Sequence, residues 1–170
     1  ILHMMEGRQV GFIAKENLEK VPYFGKWIKF IRGIFIKRGD ARESLKSIQE
    51  GAKQIKQGFN LAIFPEGTRS HTTEMADFKA GSFKLATKAK APIVPVAING
   101  TRHLFEDNGY ITNGAVIDVK ILPPIDTVSL DRHQLANITH EVENTIRESL
   151  AELVEREKNR TEKSEAEQPR

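Results

Sequence analysis

Glu66, Thr68 and Arg69, spaced around Gly67 in the stretch Leu61-Ala-Ile-Phe-Pro-Glu-Gly-Thr-Arg-Ser70, are the residues of this sequence best arranged for chemistry. Arginine offers a planar fork of donors that matches phosphate or carboxylate. Glycine lets a ligand oxygen come close to the backbone. The chemistry these types suit is anion binding. A plainer reading of the same spacing is a surface ion pair between Glu66 and Arg69, of the weak kind common on proteins.

The elements that must position them follow from the apolar pattern. Leu61 to Phe64 is a short apolar run closed by turn formers, the mark of a buried strand. Open α/β sheets place ligands where the chain leaves the carboxyl end of a strand. Val10 to Ala14, Ile34 to Ile36, Ile93 to Ile98 and Val116 to Leu122 read as further strands. Pro95 marks an edge, a bulge or a strand start. Helices are expected from Val21-Pro22 to Gly33, from Asp40 to Gln57 and from Phe78 to Lys90, with Ala80, Phe83 and Ala86 inward in the last. In the second, Asp40 and Glu43 form a capping-box-like pair, Leu45, Ile48, Ala52 and Ile55 form one stripe, and Gly58 is the stop. A long amphipathic helix is expected from Arg132 to Arg156, with Leu135, Ile138, Val142, Ile146 and Leu153 on one face. Alternation of strands and helices predicts an α/β fold with a mixed, mostly parallel sheet flanked by helices. Residues 1–157 form one domain, and residues 158–170 read as a disordered charged tail.

Composition sets the outer bounds. The 170 residues are 39% hydrophobic and 29% charged, with a net charge of +3, as in a globular domain with a core. With no cysteine there is no disulfide framework, thiolate nucleophile or cysteine metal site. No His, Asp and Glu cluster has metal-ligand spacing, so no metal or bound cofactor is expected. Basic and acidic residues interleave along the later helices, which argues against nucleic-acid binding. Ile1-Leu-His-Met-Met5 reads as the middle of an element, so the chain is expected to be the later part of a longer protein.

Three segments recur in one order: Gly33-Ile-Phe-Ile-Lys-Arg38, Phe64-Pro-Glu-Gly-Thr-Arg-Ser70 and Ile93-Val-Pro-Val-Ala-Ile98. Together they resemble the second, third and fourth motif blocks of the glycerolipid acyltransferase family. Lys15-Glu16 and Pro22 to Gly25 are similar to that family's segment between its first two blocks. The resemblance covers residues 1 to about 125, and its middle block is highly specific. It implies a glycerolipid acyltransferase-like fold and acyl transfer from acyl-CoA or acyl carrier protein to the free hydroxyl of lysophosphatidate. Other acceptors, glycerol 3-phosphate or another lysophospholipid, stay open. So does a non-catalytic phosphate- or lipid-binding module.

The family's first block is His-x4-Asp, in which the His is general base and the Asp orients it, with the substrate hydroxyl as nucleophile. Five residues after His3, His71, His103, His133 and His140 stand Arg8, Ala76, Asn108, Ile138 and Thr145. None is Asp. The expectation is therefore a chain that begins just after the catalytic Asp, holds no catalytic residue of its own and turns over little substrate.

For the acceptor phosphate, Arg69, Arg38 and Lys15 are the candidate cations, each following a predicted strand or its turn. Gly67 and Thr68 give close approach and hydrogen bonds, and Glu66 supports the site by holding Arg69 or the backbone of the turn. The family commonly carries an acidic residue where Lys37 stands, so the local field here is more positive. The Ile93 to Ile98 strand is core or, as the resemblance implies, a wall of the acyl-chain or donor site. Tyr23 to Arg38 mixes aromatic and basic residues. It suits a helix lying on the surface of an anionic membrane, at its cytoplasmic face, or a helix that packs its aromatics on the sheet.

Overall fold

The computed structural model describes residues 9–37, 39–68, 74–107 and 109–166. β1 (Val10–Lys15) is the middle strand of a parallel sheet, with β2 (Ile34–Ile36) on one side and β3 (Asn60–Ala62) on the other. Ile13 pairs with Ile34, Ala14 with Phe35 and Lys15 with Ile36, while Val10 pairs with Asn60, Gly11 with Leu61 and Phe12 with Ala62. All three strands run the same way, so their carboxyl ends share one edge. β3 is shorter than the apolar run predicts and starts one residue earlier.

β4 (Val96–Asn99) and β5 (Asp118–Ile121) form a separate antiparallel ladder. Just before it, Ile93 bridges Ile125, and the fully buried Pro95 accepts a hydrogen bond from the Leu122 amide at 3.0 Å. Two residues separate Ile93 from Val96, and three separate Ile121 from Ile125. The proline therefore sits at a bulge ahead of the strand start, where its missing N–H breaks no ladder bond.

Between β1 and β2 the chain makes a 3₁₀ turn (Glu16–Lys20) and then α1 (Phe24–Phe30), later than Pro22 suggests. The helix ends three residues before Gly33, its expected stop. Arg32, at φ 60°, takes the left-handed position, and the Gly33 amide returns to the Ile28 carbonyl at 2.7 Å. Arg32 holds its guanidinium 3.8 Å from the centre of the Phe59 ring. Within α1 only Gly25 and Ile28 are buried, whereas Tyr23 and Phe30 are 88% and 81% exposed.

α2 (Ala41–Lys56) begins as expected, with Asp40 accepting from the amides of Arg42 and Glu43. The Glu43 amide, chiefly, holds the Asp40 carboxyl below its usual range. Ser47 ties the helix to β2 through the Phe35 carbonyl at 2.8 Å. Ala52 is buried, but Leu45 is 51% exposed and lies off the buried stripe. Gly58, at φ +90°, closes the helix, and the Phe59 amide returns to the Gln54 carbonyl at 3.1 Å. Nothing stands within 4 Å of where a Gly58 Cβ would lie, so the cost of a side chain there is conformational alone. Gly58→Ala is expected to lower stability by about 1 kcal/mol in urea denaturation, and Gly58→Asn by less. Equal stability of all three would show that the helix end is not held in this conformation.

The expected helix from Phe78 shortens to α3 (Lys84–Ala89). The Phe78 amide donates to Glu143 and the Lys79 amide to the Pro65 carbonyl, and Gly81 takes φ +84°. Residues 78–79 are therefore irregular and 80–83 turns rather than helix, and Ala80 is exposed. Phe78, Phe83 and Ala86 nevertheless join Ile93, Ile138 and Val142 in one buried cluster.

α4 (Arg132–Ala166) packs over the β4–β5 ladder, with Ile138, Val142 and Leu153 buried. It runs past residue 158, so a disordered tail from that point is corrected: residues 158–166 are helical. Arg160 grips both carboxylate oxygens of Asp118, at 2.7 and 3.3 Å, and holds that carboxyl below its usual range. Glu157 accepts from Asn99 at 2.8 Å. These tertiary partners hold a helical stretch that its composition alone would leave without a core. Among the described residues no helix is long and apolar enough to cross a membrane.

Candidate functional site

β3 runs out into Ile63 and then a tight turn. The Gly67 amide donates to the Phe64 carbonyl at 3.0 Å, which puts Pro65 and Glu66 in the two central places and Gly67 in the fourth. Gly67 has φ 68°, a left-handed conformation in which any side chain would be strained. Thr68 is exposed and Glu66 half-buried. Lys15 ends β1 at the same edge, is exposed, and pairs with the last residue of β2. After β2, Ser44 of α2 bonds the Lys37 carbonyl at 2.7 Å. The fold thus brings Lys15, Glu66, Gly67 and Thr68 to one sheet edge. Arg38 and Arg69 lie outside the described residues.

The turn is tied down from behind. The Pro65 carbonyl accepts from the Lys79 amide at 2.9 Å and from the Ser82 hydroxyl at 3.4 Å. Glu66 Oε2 accepts from the Ala76 amide at 2.8 Å, so Glu66 holds backbone. Two residues further, the Phe78 amide donates to Glu143 Oε2 of α4 at 3.1 Å. Arg147, one helical turn on, pairs with Glu143 at 2.7 Å and donates to the Met75 carbonyl at 3.4 Å. Glu143 and Arg147 were not singled out from the sequence. Their only signal there is an i,i+4 pair, the commonest arrangement of charges on any helix.

The family model described as Acyltransferase matches residues 1–99, which include every predicted site residue. The chain belongs to the acyltransferase family. It is 33% identical over 143 residues to the 1-acyl-sn-glycerol-3-phosphate acyltransferase of Saccharomyces cerevisiae, covering 82% of this chain and 47% of that protein. It is 30% identical over 142 residues to the Escherichia coli protein of the same name, covering 83% of this chain and 57% of that one. The crystal structure of the 1-acyl-sn-glycerophosphate (LPA) acyltransferase PlsC from Thermotoga maritima superposes with a TM-score of 0.68 at 28% identity, covering 85% of this chain and 57% of that one. This acyltransferase chain spans about half the length of the relatives it matches.

The histidines of the acyltransferase chain bear on where a general base could come from. His103 has Nδ1 2.7 Å from Asp107 and Nε2 2.8 Å from Glu157. Both ring nitrogens face carboxylates, on residues outside the turn and the parallel sheet. His133 and His140 sit on α4 beside Asn137 and Asn144. His3 and His71 lie outside the described residues. Among the described residues no group of three His, Asp or Glu could hold a metal ion.

Glu143 gives the tie behind the turn a pH dependence. The Arg147 hydrogen bond, chiefly, and then the Phe78 amide hold its carboxyl below the usual range, against the opposing effect of burial. Its folded value is therefore lower than its unfolded one, and between the two the unfolded chain binds more protons. The stabilisation is complete above the ordinary carboxylate value of about 4.3 and is withdrawn as pH falls through the depressed folded value. Glu143→Gln, which cannot titrate, is expected to flatten that part of the acid limb in urea midpoints measured against pH. Parallel limbs for the two proteins would refute the assignment.

Proposed function

We propose that this chain is the acceptor-holding part of an enzyme that transfers an acyl group from acyl-CoA or acyl carrier protein to the free hydroxyl of lysophosphatidate, making phosphatidate. The observation that carries this reading is the Phe64–Thr68 turn at the carboxyl edge of a parallel sheet, the edge at which Lys15 ends β1, in a member of the acyltransferase family. In this reading Arg69, Arg38 and Lys15 neutralise the acceptor phosphate, Gly67 and Thr68 supply close donors, and Glu66 keeps the turn in shape. The acceptor hydroxyl attacks the thioester carbonyl, its proton passes to a His oriented by an Asp, and the thiolate leaves. A His-x4-Asp block would supply that base, and this sequence does not contain one. No bound cofactor takes part.

The membrane surface is the place where such an acceptor is met. Phe24 and Trp27 stack at 5.8 Å, and both stand nearly half exposed beside the open rings of Tyr23 and Phe30. Lys26 and Lys29 lie on the same helix. Exposed aromatics interleaved with lysines favour an interfacial helix over one whose rings pack on the sheet, and the anionic cytoplasmic leaflet suits its charge.

A binding comparison tests the reading. Short-chain lysophosphatidate is expected to bind the 170-residue chain, and the matching lysophosphatidylcholine, whose phosphate is a diester, at least about tenfold more weakly by calorimetry. Equal affinities would refute the phosphate site. Flotation on vesicles with anionic lipid should fall with salt and with the Trp27→Ser, Phe30→Ser double variant. Unchanged flotation would refute the membrane helix.

A further inference from the structure

Segment 75–78 is held from two directions at once. Ala76 gives its amide to Glu66 in the turn, while Phe78 gives its amide to Glu143 and Met75 its carbonyl to Arg147, both on α4. Arg147 also stands 3.7 Å from Asp77. The Glu143 side chain is only 14% exposed, and its two oxygens are divided between Phe78 and Arg147. Both oxygens of this half-buried carboxylate are thus hydrogen-bonded, one to backbone and one to Arg147. That bond to backbone ties Phe78 to α4. The same backbone segment in turn commits one oxygen of Glu66, a carboxylate within the turn where an anion is to bind. Glu66 freed from Ala76 would repel that anion or compete for its cations.

We propose that Glu143 and Arg147 of α4 are positioning residues for the anion-binding turn, acting through segment 75–78 and the Ala76–Glu66 hydrogen bond. The inference rests on the reading of that turn as a phosphate site, and it gives α4 a role beyond packing. Because the effect passes through Glu66, removing Glu143 should matter only while residue 66 carries a charge.

The test is calorimetric binding of short-chain lysophosphatidate to the full chain, with circular-dichroism melts of every variant. Glu143→Leu is expected to weaken binding about 5- to 10-fold, and Glu143→Gln, which keeps an acceptor for Phe78, by no more than about 2-fold. In a Glu66→Gln background, Glu143→Leu should change affinity by less than about 2-fold, because coupled residues are not additive. Arg147→Met, at a side chain 45% exposed, serves should Glu143→Leu not fold, with the same dependence on residue 66. Losses that add independently of Glu66, or that follow only the folded fraction, overturn the proposal. So does wild-type affinity in Glu143→Leu while Arg69→Ala binds weakly. If Arg69→Ala itself binds normally, the phosphate reading fails and this inference fails with it.

Discussion

Arg69→Ala is expected to lower kcat/KM for lysophosphatidate by about 10- to 100-fold, the equivalent of about 1.5–3 kcal/mol for hydrogen bonds to a charged group. The acceptor phosphate carries roughly −1.5 to −2 charges, and a guanidinium can meet two of its oxygens at once. KM for the acceptor should rise, because binding is lost. kcat should fall as well, because the phosphate is remote from the reacting hydroxyl and its binding energy orients that hydroxyl. Arg69→Lys keeps the charge but not the fork and should recover only part of the loss. The measurement is steady-state kinetics at saturating acyl-CoA, on a polypeptide that joins this chain to an upstream His-x4-Asp block. Unchanged kinetics would refute the phosphate role. An equal loss with monoacylglycerol, which has no phosphate, would refute it too.

The second large effect concerns the core behind the turn. Phe83→Ala is expected to remove about 3–5 kcal/mol of stability, a large share of the 5–15 kcal/mol typical of a domain. Phe83 is 6% exposed and meets Phe78 with ring centres 6.3 Å apart and planes tilted by 50°. Ile138 and Val142 of α4 close the same cluster. Deleting the ring leaves a cavity between a loop and a helix that distant tethers hold apart, so collapse into it is restricted. Phe83→Leu retains most of the volume and should cost less than about 1.5 kcal/mol. Urea denaturation followed by circular dichroism measures both. A loss below 1 kcal/mol for the alanine variant would show that the site relaxes freely.

The strands and α2 were legible because their signals are local. An apolar run bounded by turn formers marks β1, β2 and β3, and Asp40 and Gly58 bracket α2 by their own backbone chemistry. The carboxyl-edge placement of the Glu66–Gly67 turn followed from the strand that precedes it. What escaped the sequence depends on partners far along the chain. Residues 78–83 carry a helical pattern, but the Phe78 and Lys79 amides bond to Glu143 and to Pro65 instead. Leu45 has helical spacing yet faces water, because the buried face of α2 runs through Gly51 and Ala52. Residues 158–166 look like solvated charge until Arg160 finds Asp118, 42 positions away. At the site, Glu66 was expected to hold either Arg69 or the turn's backbone, and nothing local named Ala76 as its partner. The same holds for the separation of β4 and β5 into their own ladder, since pairing partners are set by the whole sheet.

The bond between the Phe78 amide and Glu143 spans 65 residues, and its geometry sets a clock on synthesis. Translation adds about 5–20 residues per second, so the turn leaves the ribosome at least several seconds before the helix that braces it. During that interval Phe78 and Phe83 have no α4 face to bury against, and the Phe78 amide has only water. The newborn chain therefore carries an exposed aromatic pair until α4 arrives, and contacts of such long sequence separation form late. Removing α4 would make that transient state permanent.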